Sequence, residues 1–92
     1  MNKLILALLL IGTSASVMAT NCNEDIIKAV SPDGHLLIML SGAVYDVDEA
    51  DRTDTKEWIA SNNVLICSAA GNVSEISNKD EGTHKVLAKR IN

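Results

Sequence analysis

His35-Leu36-Leu37-Ile38-Met39-Leu40-Ser41-Gly42-Ala43-Val44-Tyr45-Asp46-Val47-Asp48 is the stretch on which the reading of the fold turns. Its first part, residues 35–40, is an unbroken apolar run of strand length. Ser41-Gly42 is a tight-turn dipeptide. In the part that follows, Ala43, Tyr45 and Val47 share one face of an extended chain, and Val44, Asp46 and Asp48 share the other. Two strands divided by a two-residue turn that contains Gly make a β-hairpin.

The same punctuation continues outward in both directions. Before the hairpin, Ser31-Pro32-Asp33-Gly34 is a turn: Pro presets one backbone angle and Gly accepts a positive one. Residues 25–30, rich in Ile and Val, supply a strand ahead of it. After the hairpin, Asp54 and Glu57 have the spacing of a capping box, so one helical turn is expected there, delivering Trp58 and Ile59 to the core. Ser61-Asn62-Asn63 is a turn, 64–68 a strand, Gly71-Asn72 a turn and 73–78 a strand in which Val73 and Glu75 oppose Ser74 and Ile76. Residues 83–91 form a last strand, with Val86 and Ala88 opposite Leu87 and Ile91. Strands separated by turns every 8 to 12 residues or so predict an all-β fold. The expectation is a small antiparallel five- or six-stranded barrel of SH3-like or OB-like size, with one short helical turn and one disulfide.

The N-terminus reads differently. Lys3 is a short positive region, residues 4–11 are an unbroken apolar run, and Val17-Met18-Ala19 suits a signal peptidase. Residues 1–19 are therefore expected to be a secretory signal peptide, and residues 20–92 a single small β-domain. The apolar run is far shorter than the ~20 residues of a membrane-spanning helix, so no membrane insertion is expected after cleavage. Removing 19 of 92 residues leaves 73, with seven basic and twelve acidic side chains. This negative balance disfavours nucleic acid and anionic lipid as partners. The expected location is periplasmic or secreted.

Cys22 and Cys67 are the two cysteines. An even count in an exported chain predicts a disulfide between them. The mature chain has one Trp, one Tyr and no Phe, so its core is lean, and closing a loop of 45 positions offers roughly 4 kcal/mol in the chain-entropy model. Trp58 is read as core. Tyr45 serves either as core or as an anchor at a contact surface.

No catalytic, metal or cofactor motif stands out. Asp46-x-Asp48-x-x-Asp51 offers oxygen ligands, but at the later positions of an EF-hand loop Ala50 and Asp51 replace the ligand and the glycine, and only Glu57 fits. His35 and His84 each start a strand beside a turn and read as surface residues. There is no Gly-x-Ser-x-Gly elbow. Asn72-Val73-Ser74 matches a glycosylation sequon. The feature that suggests binding is the acidic segment: Asp46, Asp48, Glu49, Asp51, Asp54 and Glu57 against Arg52 and Lys56. Tyr45, Asp46, Asp48, Glu49, Asp51 and Asp54 are the candidate partner-binding residues, and a basic protein is the expected partner, because such a field steers encounter. The competing expectation is a structural envelope protein with no specific ligand.

Residues 33–91 also resemble a pattern found in small exported bacterial β-domain proteins of unassigned function. The resemblance rests on Asp33-Gly34, Gly42-Ala43-Val44-Tyr45, the lone Trp58, Val64-Leu65-Ile66, Ile76-Ser77-Asn78, Gly82 and Val86-Leu87-Ala88-Lys89-Arg90-Ile91. It departs at Ser61-Asn62-Asn63, where such proteins tend to carry Gly-Asp. It implies a small β-domain and brings no activity with it. Ser41-Gly42-Ala43-Val44-Tyr45 is similar to a Ser-Gly-Ala-x-Tyr segment of periplasmic lysozyme inhibitors of the small barrel type, which implies a lysozyme as one basic partner.

Overall fold

The computed structural model describes residues 21–82 and 85–92; the expected signal peptide and His84 lie outside them. Six strands run in chain order: β1 (Cys22–Val30), β2 (Leu36–Met39), β3 (Val44–Val47), β4 (Asn63–Ala70), β5 (Val73–Asn78) and β6 (Lys85–Arg90). A 3-10 turn (Glu49–Asp51) and a one-turn helix α1 (Arg52–Thr55) lie between β3 and β4. The strands close into an antiparallel barrel in the order β1-β2-β3-β6-β5-β4. Two three-stranded meanders are thus joined along two seams, β1 with β4 and β3 with β6. Closure gives each strand two neighbours and removes the free edges that invite aggregation.

The elements follow the expected pattern, with differences at their ends. β1 begins three residues earlier than the run of Ile and Val indicates, because Cys22 to Ile26 pair with β4 before the strand turns to β2. Lys28 sits at the bulge where the pairing with β2 shifts register. The helical turn also starts earlier than the expected capping box at Asp54. Asp48 performs the capping: its carboxylate accepts from the Ala50 amide at 3.2 Å, and the 3-10 turn leads straight into α1.

Alternation selects the core. Leu37 and Met39, Tyr45 and Val47, Val64 and Ile66, and Val86 and Ala88 point inward from their strands and are buried, with Ile27 and Ile76 beside them. Each Val, Leu, Ile or Met side chain so buried contributes about 1.5–3 kcal/mol. Trp58 is buried too, brought in by the turn after α1, where its amide donates to the Thr55 carbonyl, but Ile59, expected beside it in the core, is 60% exposed. α1 seats on the β1–β2 turn: the Thr55 hydroxyl donates to the Gly34 carbonyl at 2.6 Å. The inner face of β5 is partly polar, carrying Ser74 and Asn78. Cys22 and Cys67 are directly opposed in the β1–β4 register and form the disulfide, with an S–S distance of 2.09 Å.

Candidate binding surface

The acidic segment leaves β3 and wraps over the outer wall at the β3–β6 seam. Its carboxylates divide by task. Asp46 projects outward from β3 and meets the Arg52 guanidinium at 3.4 Å, while Arg52 Nε donates to the Val47 carbonyl at 2.9 Å. Asp48 caps the 3-10 turn. Asp51 accepts from the Leu87 amide on β6 at 2.9 Å, and the Asp48 amide donates to the Leu87 carbonyl at 2.8 Å. Leu87 therefore gives both backbone groups to the acidic segment. Glu49 and Glu57 are exposed, and Asp54 lies half-buried within α1. Tyr45 belongs to the core, with 5% of its surface exposed, so its ring is not offered on the outer face.

Some of these residues border a cleft of about 390 Å³. Asp46, Asp48, Glu49, Arg52 and Lys89 line it with charged groups, and Val73 and Leu87 are among its apolar lining. Lys89 lies directly across the ladder from Asp46.

Ser31, Asp33 and His35 converge in the β1–β2 turn, but in an arrangement suited to closing a turn. His35 Nδ1 lies 2.7 Å from Asp33 Oδ1, and the Ser31 hydroxyl donates to the same oxygen at 2.9 Å. Ser31 Oγ also accepts from the Leu36 amide at 2.9 Å. The hydroxyl approaches His35 only at Nδ1, the nitrogen that Asp33 already holds, at 3.4 Å. The hydrogen bond from the His35 side chain, followed by those from its backbone amide and from Ser31, holds the Asp33 carboxyl well below the usual carboxylate range. At another surface ion pair, Lys79 hydrogen-bonds Glu24 at 2.8 Å and lowers the Glu24 pKa. Among the described residues, no group of three or more His, Cys, Asp or Glu side chains is placed to hold a metal ion. Asn72 is exposed at the β4–β5 turn, where Gly71 has a φ of 57°.

Sequence reasoning passed over two buried amides. Asn78 donates to Asn62 Oδ1 at 2.9 Å, and the same oxygen accepts from the Ile59 amide at 3.1 Å. Asn78 Oδ1 in turn accepts from the Asp80 and Glu81 amides. An Asn at a turn is read as a turn residue whether its side chain faces solvent or the interior, so its composition alone gave no signal. The Asp51–Leu87 bond was hidden for a different reason, since it joins residues 36 positions apart.

Fold and surface thus define a closed six-stranded antiparallel barrel, stapled across one seam by a disulfide and bearing an acidic-lipped cleft across the other. Neither a protein-family model, a curated protein nor a solved structure is matched by this chain. A disulfide is compatible with an extracellular or periplasmic location, and no helix among the described residues is long and apolar enough to cross a membrane.

Proposed function

We propose that this protein is a non-enzymatic binding or accessory module of the periplasm or the extracellular space, and that it engages a basic protein through the acidic segment of residues 42–57. The supporting observation is the way the carboxylates are held. Asp48 is held by Ala50 within its own turn and Asp46 by Arg52 of the same segment, while Asp51 is bonded to Leu87 of β6, so the negative surface is set before a partner arrives. A preset surface avoids the ordering cost that weakens flexible binders. The field of six carboxylates against two cations mainly accelerates encounter. The expected signal peptide and the disulfide agree with export.

A second reading is a structural envelope protein that needs its charge only for solubility. It is favoured by the same bonds, since they give half the segment's carboxylates an internal use. Salt and charge separate the two readings. Fields at an exposed surface are screened over roughly 8 Å at physiological ionic strength. Asp46, Asp48 and Asp51 changed to Asn, and Glu49 to Gln, keep an acceptor oxygen at each position and so retain the caps. The exported domain is expected to capture a basic protein, with purified lysozyme as a defined probe, at low salt and release it at high salt; the four-amide variant is expected not to bind. Absence of any partner, or identical binding by the variant at the same salt, favours the envelope reading.

A further inference from the structure

The cleft at the β3–β6 seam carries both signs of charge, and the internal bonds leave one group of each sign unused. Asp46 is taken up by Arg52, and Asp48 caps the 3-10 turn. Glu49 and Lys89 also line the cleft; both are exposed, and neither has a hydrogen-bond or ion-pair partner among the described residues. Lys89 stands between Asp46 and Val73 in the ladder, yet Asp46 gives its carboxylate to Arg52. Two residues before Lys89, and so on the same face of β6, Leu87 keeps 43% of its surface exposed and lines the cleft with Val73. A small-molecule site has this composition: a concave apolar surface with a few polar groups that fix orientation.

We propose that this cleft binds a zwitterion of dipeptide size, with its ammonium on Glu49, its carboxylate on Lys89 and an aliphatic side chain against Val73 and Leu87. Charge selects the class. A simple anion would meet the carboxylates of Asp46, Asp48 and Glu49, and a simple cation would meet Arg52 and Lys89. A zwitterion satisfies both unused groups at once and brings no net charge for the others to repel. The spacing of its charges selects the length. Glu49 and Lys89 form no ion pair with each other. In a single amino acid the ammonium and carboxylate share one carbon atom, whereas two extended residues hold them up to about 7 Å apart, which suits two side chains that do not touch. The volume agrees: 390 Å³ falls near the lower end of the roughly 300–1,000 Å³ of small-molecule sites. Both charged contacts stay close to water, so binding is weak, with a dissociation constant on the order of 1 mM. This occupant is separate from the basic protein proposed above, although both use Glu49.

Amide NMR titration of the disulfide-bonded exported domain with L-leucyl-L-leucine tests this. Saturable shifts are expected at Glu49, Val73, Leu87 and Lys89. N-acetyl-leucyl-leucine amide, which keeps both side chains and loses both charges, should bind about 10-fold more weakly. The Glu49→Gln/Lys89→Gln variant should bind the free and the capped dipeptide alike. Its fold is checked by the amide spectrum away from the cleft, which should match wild type, since both side chains are exposed and unbonded. The proposal is overturned by the absence of saturable shifts up to about 20 mM, or by shifts confined to another face. Equal affinity of the wild type for free and capped dipeptide overturns it too, as does discrimination that survives in the double variant. Leucyl-leucine has no net charge and the titration contains no basic protein. A failure here therefore leaves the acidic-surface reading standing, and failure of lysozyme capture leaves this one standing.

Discussion

Asn78 shows how a single residue can carry structural weight out of proportion to its prominence in the sequence. Its amide is almost fully buried and uses both its donor and its acceptor, tying the end of β5 to Asn62 and to the loop that follows. No buried side-chain nitrogen or oxygen among the described residues lacks a partner, so this polar interior is satisfied rather than strained. Asp33 works at the surface and is measurable. Its hydrogen bonds to His35 and Ser31 favour the charged form, so its folded pKa lies below the ordinary value of 3.8. A depressed carboxylate pKa stabilises the fold above the unfolded value, and that contribution is lost as pH falls through the folded one. Carbon NMR titration of the Asp33 carboxyl should give a midpoint clearly below 3.8. The stability difference between wild type and Asp33→Asn should shrink as pH drops below about 4. An unshifted midpoint would show that the turn does not hold in solution.

Among the elements, α1 depends most on its seat. A helix of one turn has no stability of its own; it persists here because Asp48 caps the turn before it and Thr55 bonds the Gly34 carbonyl. Gly34 has a φ of 80°, and a Cβ there would press on the Arg52 carbonyl oxygen and lie 2.7 Å from the Lys56 nitrogen and 2.8 Å from Thr55 Oγ1. Gly34→Ala therefore combines backbone strain with a clash against the backbone of the helix, and should cost about 2 kcal/mol or more. Gly82→Ala is the control: its φ of 61° is similar, but a Cβ would meet nothing within 4 Å. Urea denaturation should show the Gly34 variant losing clearly more than the Gly82 variant. Equal losses would mean that α1 does not pack on the turn.

At the scale of the whole molecule, barrel closure brings the two meanders together along seams that differ in character. The β3–β6 seam is covered by the acidic segment through Leu87, whereas the β1–β4 seam is stapled by Cys22 and Cys67. The staple closes a loop of 45 positions, worth roughly 4 kcal/mol in the chain-entropy model. Against a total near 5 kcal/mol for a small domain, that decides folding. The Cys22→Ser/Cys67→Ser variant should lose about 3 kcal/mol or more in urea denaturation, and reduction of the wild type should reproduce that loss. A variant within about 1 kcal/mol of wild type would assign closure of this seam to the ladder and core alone.

The amino-acid sequence by itself determined the strands, most of the turns and the disulfide pairing. Period-two alternation in Ala43 to Val47 and in Val86 to Ala88 sorts inside from outside, because side chains on an extended chain point to opposite faces in turn. Pro32 with Gly34, Gly42 and Gly71 place turns through their own backbone angles, which is local physics. Only the tertiary structure decided that β1 changes partner along its length, that Asp51 is bonded to Leu87, and that Asn62 and Asn78 face inward while Leu40 and Ile91 face out. Each of these depends on the register between segments distant in the chain. Register is fixed when all the apolar faces are buried at once, a condition of the closed barrel that no short stretch of sequence contains.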